Sequence, residues 1–473
     1  MKVPSILAVS VGLLASSNLI SAETIRTRVA ILGGGVAGIS ASLNLTLSGM
    51  HDFVLVEARD VLGGRAQNVK LGETTIEFGC NWVQGLGTNP VNQLREKYNL
   101  TTAVTDYGDI TYIEEGVERV KHNQVDLSGR TSLLLAGWNA ETPMEEAIEY
   151  FGYDWEMGET PEISSSIFTS INDVASYGGD FGPDSDGDLM SIDSRGFRHI
   201  FLEEANRVFK KNDKRLKLNT RVKTIEYNDK SVTIHTDKDT IIADYAISTF
   251  SLGVLQHRDV KWKPEMPDWK LEGLMGFHLA TYTKIFLNFP KQFWDDTQFT
   301  LYGNPNNRGL YSVWQNMNAP GYFPKGGKDN IFMVTVTQDY AYAVESMTDE
   351  EVKDELMAVL RDMYGNDIPE PTDMKFPRWH SNPLFRGSYS NWPIGELDQH
   401  HENMRAPLKN RVFFAGEAMS KRYFGFLQGG WTTGAEIATK VNQCIKSKCP
   451  KEMYYPKLYN GKYRGEIVKR EVV

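Results

Sequence analysis

RVAILGGGVAGISASLNLTLSGMHDFVLVEARDVLGGR, residues Arg28–Arg65, is the stretch whose reading decides the fold. An apolar run, Val29 to Leu32, enters Gly33-x-Gly35-x-x-Gly38. A helix-like segment follows, and a second apolar run, Phe53 to Val56, ends on Glu57. This is the pattern of a βαβ unit. Gly33 permits the tight turn, Gly35 lets backbone approach a pyrophosphate, and Gly38 lets the helix pack closely on the strand. The helix's free N–H groups then face the anion. Glu57 follows Gly38 by 19 residues, the distance at which an acid takes both ribose hydroxyls. A glycine-rich turn before a helix is common for plain structural reasons. Two flanking strand-like runs and an acid at this distance favour a dinucleotide.

After the acid, EARDVLGGR adds Gly63, Gly64 and Arg65, a second glycine turn with a guanidinium able to grip a phosphate bidentately. A solvated surface turn is the plainer alternative, and nicotinamide binding does not require the feature. The pattern resembles the flavin amine oxidase superfamily, in which this segment returns to the FAD pyrophosphate.

Met1 to Ala22 carries Lys2, an apolar core from Ile6 to Leu14, and small Ala22 before Glu23, which reads as a secretory signal peptide. The apolar stretch is too short and too interrupted by Ser and Asn to span a bilayer well. A secreted, soluble protein with no membrane partner is expected. Of 473 residues, 451 follow Ala22, enough for two or three domains. The net charge is −10, and −11 without the leader, a balance that disfavours nucleic acid and mildly favours cationic ligands. Three cysteines exclude a disulfide-built scaffold, and no metal-ligand spacing is present. Cys444 and Cys449 are close enough to pair, leaving Cys80 as the odd thiol. Of two glycosylation sequons, Asn44-Leu-Thr lies on the nucleotide-binding helix, so Asn99-Leu-Thr is the better candidate.

Further along, IEFGCNWVQG (76–85) is a glycine-punctuated loop, and residues 90–98 and 140–175 read as helical or mixed. YGGDFGPDSDGDLMSIDS (177–194) reads as a solvated loop, because its aspartates lack the glycine and closing glutamate of a calcium loop. RLKLNTRV (215–222), SVTIHT (231–236) and TIIADYAIS (240–248) read as strands of a meander. KIFLNF (284–289), LYSVWQ (310–315) and IFMVTVT (331–337) supply more strands, and Asp349–Tyr364 is an amphipathic helix. RVFFAGEAMSKRYFGFLQGGWTTGAEIATKV (411–441) is a strand, a glycine-rich turn bearing Glu417, and a helix from about Gly429, whose N-terminus suits an anionic ring edge.

From Arg28 to about Cys449 the chain resembles the secreted flavin polyamine oxidases of the plant apoplastic type. YTKIFLNFP, KFPRWHSNPLFRGSYSNWP and FFAGEAMSKRYFGFLQGG fall in family order. The resemblance implies an α/β protein with a discontinuous Rossmann-like FAD-binding domain (residues 23–105, 196–261 and 386–445). A substrate domain (106–195 and 262–385) would hold a mixed sheet flanked by helices, and a polar tail (446–473) follows. It also implies Val222 at the adenine, Glu417 and Gly429 at the flavin, and Lys284 held through water to the flavin's reactive nitrogen, with Tyr282 beside it. Tyr389 and Phe426 match two aromatics over the flavin, Glu159 a tunnel carboxylate, and Trp379 the pocket wall. The sequence departs from the family at Gln84, where the plant enzymes carry Glu, and has no cysteine near Tyr423 to tether the flavin. Non-covalent FAD is therefore expected.

The implied reaction moves a hydride from a polyamine's α-carbon to flavin, leaving an imine that water hydrolyses to an aminoaldehyde and a shorter amine, and oxygen reoxidises the flavin to give hydrogen peroxide. A monomer is expected. The rival readings are a secreted L-amino-acid oxidase, which needs an arginine for the substrate carboxylate, a monoamine oxidase, and an inactive flavin-binding protein.

Overall fold

The computed structural model describes residues 23–111, 126–172, 180–185, 187–323, 328–450 and 454–455. The leader read at residues 1–22 lies outside them. Thr24–Leu32 and Phe53–Val56 are parallel strands joined by the helix Val36–Leu47. Val29–Leu32 and Phe53–Val56 are buried throughout, as strands covered on both faces require. Alternation then sorts their side chains. Val29, Ile31, Phe53 and Leu55 enter one core, and Ala30, Leu32, Val54 and Val56 enter the other.

This sheet has eight strands. Its path runs Lys261–Lys263, Val222–Tyr227, Val232–Thr236, Thr240–Ser248, Thr24–Leu32, Phe53–Val56, Leu216–Lys217. Thr240–Ser248 pairs antiparallel with the meander through its first half and parallel with Val412–Phe414 through its second. Three distant stretches of chain thus share one sheet. The last helix, Leu427–Lys446, lies on Val36–Leu47 at a contact so close that a Cβ on Gly434 would sit 2.2 Å from the Ala37 carbonyl oxygen.

A second, six-stranded sheet runs Asp373–Lys375, Tyr282–Phe289, Asn330–Thr337, Val313–Asn316, Phe299–Leu301, Ile110–Thr111. The helix Asp349–Tyr364 packs on it through Val352, Leu356 and Leu360, and is opened by a capping box from Thr348 to Glu351. Its bounds are those the periodicity predicts.

Three readings are corrected. RLKLNTRV is not one strand. Asn219 takes φ +52°, which splits it into Leu216–Lys217, beside Leu55, and Val222–Tyr227, across the sheet. LYSVWQ enters its strand only at Val313, because Tyr311 takes φ +52°. Residues 177–194 are not wholly a solvated loop. Asp188–Ser191 is a strand between Trp82–Gln84 and Thr102–Thr105, and buried Asp188 accepts from Tyr107 Oη (2.9 Å) and Gly85 N (3.2 Å). Two protein donors answer its desolvation, so composition alone misread it.

Cys444 and Cys449 form a disulfide at the end of the last helix. Beyond it, Tyr454 stacks on Trp269, and Tyr455 exchanges hydrogen bonds with Asn403, so this part of the polar tail docks on the fold. Among the described residues no helix is long and apolar enough to cross a membrane.

Candidate active site

One cavity runs from the glycine turns to a cluster of aromatic rings between the two sheets.

At the glycine end, Gly33 takes φ +112° with a Cβ position 2.4 Å from Thr249 Oγ1, and Gly35 faces the cavity. Gly38 does not line it. A Cβ there would lie 2.0 Å from the Gly33 carbonyl oxygen, the close packing expected of this position. The second glycine turn closes on the first, with Gly63 N donating to Gly34 O (2.9 Å) and the Gly64 Cβ position 3.0 Å from Gly35 Cα. The helix begins at Val36 with no side-chain cap, so its first N–H groups face the cavity at Val36 and Ala37. Glu57 lines the same end, accepting from Gly34 N (2.7 Å) and Arg59 N (2.8 Å). A carboxylate offers about four acceptor sites, so two remain for ribose hydroxyls. Val222, at a bulge in its strand, completes this wall. Backbone donors at a bare helix start, an acid, and open space where side chains would intrude fit a dinucleotide.

Two expected contacts are rearranged. Arg65 lines the cavity, but its Nη1 serves Glu417 (2.9 Å) and the Ser388 carbonyl (2.6 Å), so its charge is already matched. Arg59, overlooked in the sequence, also lines this end, and its Nη2 ties the second glycine turn through Gly64 O (3.0 Å). The last helix starts at Leu427, not Gly429. Gly430 lines the cavity, whereas Gly429 packs against the Tyr423 carbonyl, where a Cβ would come within 2.0 Å.

Glu417 explains itself in three dimensions. Besides Arg65 it accepts from Ser390 Oγ (2.5 Å) and Gly425 N (2.8 Å), joining its own turn to two segments that lie apart from it in sequence.

Lys284 is buried in a strand that is buried along its whole length, and lines the cavity. Its Nζ donates to Gly79 O (2.5 Å) and Asn81 Oδ1 (2.9 Å). Burial pulls its pKa down to about 8, against the attraction of Glu77. Glu77 itself is pushed up to about 7 by burial, although Phe197 N donates to it (2.6 Å). Cys80, on the same loop, also lines the cavity, and burial holds its thiol protonated.

The aromatic end gathers Tyr282 and Tyr389 (centroids 5.6 Å apart), Trp155, Trp82 and Tyr107. Burial raises the phenol pKa values of Tyr282, Tyr389 and Tyr107 well above 10, so these walls stay neutral. Phe426 also lines the cavity, seated against Phe181 and Tyr423. Trp379 lines it too, edge-on to Phe385 (5.1 Å). Gln84 lies on the wall. Its carbonyl is held by Asn89 Nδ2 (2.8 Å) and Gln428 Nε2 (3.3 Å).

Glu159 is displaced from its expected place. It is buried off the cavity against Gln338 and 3.7 Å from His278 Nδ1, with its pKa raised to about 8 by burial and by Asp154 and Asp339. Glu156 lines the cavity instead, and its carbonyl accepts from Tyr389 Oη (3.0 Å). On a continuous helix residues three apart would share a face. Gly158, at φ +70°, ends the helix between them and sends Glu159 elsewhere.

The model of the flavin containing amine oxidoreductases matches residues 36–165 and 199–442. The chain belongs to that family. It is 32% identical to polyamine oxidase 1 of Zea mays over 90% of this chain and 92% of that protein. Polyamine oxidase 7 of Oryza sativa subsp. japonica is 33% identical over 90% and 97%. Among solved structures, a wild-type putrescine oxidase bound to putrescine superposes with a TM-score of 0.71 at 18% identity, covering 89% of this chain and 99% of that one. Cyclohexylamine oxidase from Brevibacterium oxydans gives 0.67 at 16% identity. This family oxidoreductase has the FAD amine oxidase fold and uses FAD to oxidise an amine.

Proposed function

We propose that the amine is an aliphatic polyamine, spermine, spermidine or an acetylated form, and that FAD is held without a covalent bond. One observation carries the substrate class: among the described residues, neutral aromatic walls and one carboxylate residue, Glu156, line the end of the cavity remote from the glycine turns. Such walls suit methylene chains and attract ammonium groups through their faces. Bound FAD would supply the acceptor for a hydride from the amine's α-carbon and the route by which oxygen is reduced to peroxide. The chain's own residues orient and exclude. Tyr282 and Tyr389 confine the reacting carbon, Glu156 attracts a distal ammonium, and Lys284 offers a proton-bearing group beside the ring site. Among the described lining residues the arginines are Arg59, Arg65 and Arg221, and Arg65 is matched by Glu417. Arg59 stands beside Glu57, and Arg221 precedes Val222. Among the described residues, an arginine for an amino acid's carboxylate is thus missing from the aromatic end, which disfavours the L-amino-acid oxidase reading.

Peroxide release measured with spermine, spermidine, their acetyl forms, benzylamine and leucine tests the substrate. Preference for benzylamine or leucine overturns it. Flavin remaining with acid-precipitated protein overturns the non-covalent reading, and would direct attention to Cys80. We further read the protein as secreted and monomeric, with Asn99 as its glycosylation site. Asn99 is exposed just past the helix Pro90–Lys97, whereas Asn44 lies within its helix and accepts from Thr439 Oγ1 (3.2 Å). Secretion with a glycosidase-sensitive mass that Asn99→Gln abolishes is the expected result.

A further inference from the structure

Glu156 and Trp155 reach the cavity from an irregular helix. Pro143–Glu149 is α-helical, Tyr150–Asp154 is a π-turn, and Trp155–Met157 is α-helical again before Gly158 ends it. A π-turn carries an extra residue, equivalent to about 100° of α-helical rotation. Without it, Trp155, Glu156 and Met157 would face another way.

One side chain grips both ends of that turn. Arg308, from the loop between Phe299–Leu301 and Val313–Asn316, donates Nε (3.0 Å) and Nη2 (2.7 Å) to Glu149 Oε1. Its Nη1 (2.8 Å) and Nη2 (2.6 Å) go to the Asp154 carboxylate. On an α-helix, residues five apart point about 140° away from each other, too far for one planar fork. The π-turn brings Glu149 and Asp154 onto one side. Arg130 also holds Glu149, through both carboxylate oxygens, with two 2.6 Å bonds that restrain the acid. Tyr150 anchors the start of the turn, its hydroxyl accepting from Thr337 N (3.0 Å) on the six-stranded sheet, and its ring fills the space beside Gly309. Both carboxylates are buried, while the Arg308 side chain that joins them is partly exposed.

We propose that Arg308 is a positioning residue for substrate selection: by forking between Glu149 and Asp154 it holds the π-turn that presents Trp155 and Glu156 to the cavity. The inference rests on the reading of that wall as the seat of a distal ammonium. Lysine at this position is a point charge and cannot make the fork. In Arg308→Lys the turn relaxes toward α-helical register and Glu156 rotates off the wall.

The test compares wild type, Arg308→Lys and Asp154→Asn as FAD-loaded enzymes, by hydrogen exchange and by kinetics on spermine and benzylamine. In both variants we expect faster amide exchange across residues 150–157, while residues 33–38 keep wild-type protection and FAD content is unchanged. KM for spermine rises about tenfold, one decade being about 1.4 kcal/mol, with kcat little changed and benzylamine KM unaffected. Combined with Glu156→Gln, Arg308→Lys adds nothing further to the spermine KM, the signature of two residues acting as one. Unchanged exchange over 150–157, equal KM shifts for the two amines, or additive effects with Glu156→Gln would overturn the proposal. If Arg308→Lys does not fold, Asp154→Asn decides by the same measures. Should the wild type oxidise no polyamine, the substrate reading fails, and the exchange pattern still decides whether the fork holds the turn.

Discussion

Lys284 illustrates how one buried charge acquires chemistry. A free lysine titrates near 10.5, but here burial lowers the value to about 8. Because the folded-state pKa is depressed, the cost of burying the ammonium is fully present below about pH 8. It is relieved as pH rises toward 10.5, and the group thereby contributes increasing stability over that window. Lys284→Met should keep FAD yet slow flavin reduction or reoxidation by about 10²–10⁴-fold. It should also remove a break near pH 8 from the stopped-flow profile. Half-reactions within about threefold of wild type would make the lysine structural. Glu77 is the attraction that resists this depression, so Glu77→Gln should move the break to lower pH; an unmoved break would uncouple the pair. Glu57→Ala removes a charged acceptor whose hydrogen bonds contribute about 1.5–3 kcal/mol each. FAD affinity, read by fluorescence titration, should fall at least about tenfold. Gln84 presents a dipole where a carboxylate would attract an ammonium. Gln84→Glu should tighten spermine about tenfold and leave a monoamine nearly unchanged. Equal shifts for both would remove Gln84 from the tunnel.

At the scale of elements, close backbone contacts carry the fold. The Gly38 Cβ position is 2.0 Å from the Gly33 carbonyl oxygen, so Gly38→Ala must push helix Val36–Leu47 off its strand. Overpacking of this kind costs about 1–3 kcal/mol. Thermal unfolding of the apoprotein should show it, together with reduced FAD content because the helix start moves. Unchanged melting and flavin loading would mean the helix shifts without consequence. Legibility followed periodicity. Asp349–Tyr364 was readable to its ends because its capping box and apolar stripe are local. Asp188–Ser191 was not, since its partners are Trp82–Gln84 and Thr102–Thr105, far away in sequence. The π-turn at Tyr150–Asp154 left no local signal either. Its determinant, Arg308, comes from more than 150 residues further on.

For the whole molecule, the cavity is the joint between distant stretches of chain, with Gly33–Arg65, Val222, Lys284, Ser388–Asn391 and Gly416–Gly430 all contributing to its walls. A ligand bound only to the folded state stabilises it by RT ln(1 + [L]/Kd), about 4.1 kcal/mol at a thousandfold excess over Kd. Adding FAD to apoprotein should therefore raise the melting temperature. It should also slow amide exchange at residues 33–38, 63–66 and 427–430 together. Protection confined to the first stretch would show that the segments fold separately.

The chain by itself determined the βαβ unit, the acid at Glu57, the strand bearing Lys284 and the family pattern of its motifs, because each is written in neighbouring residues and their spacing. Only the tertiary structure decided that Arg65 pairs with Glu417, that Gly430 reaches the cavity where Gly429 was expected, and that Glu156 lines the wall while Glu159 turns away. Those outcomes depend on a left-handed glycine, on a π-turn held from a distant loop, and on charges that meet only after the sheets have closed around the cavity. Spacing along a chain specifies which face a residue occupies on its own element. Where that face points is set by long-range packing.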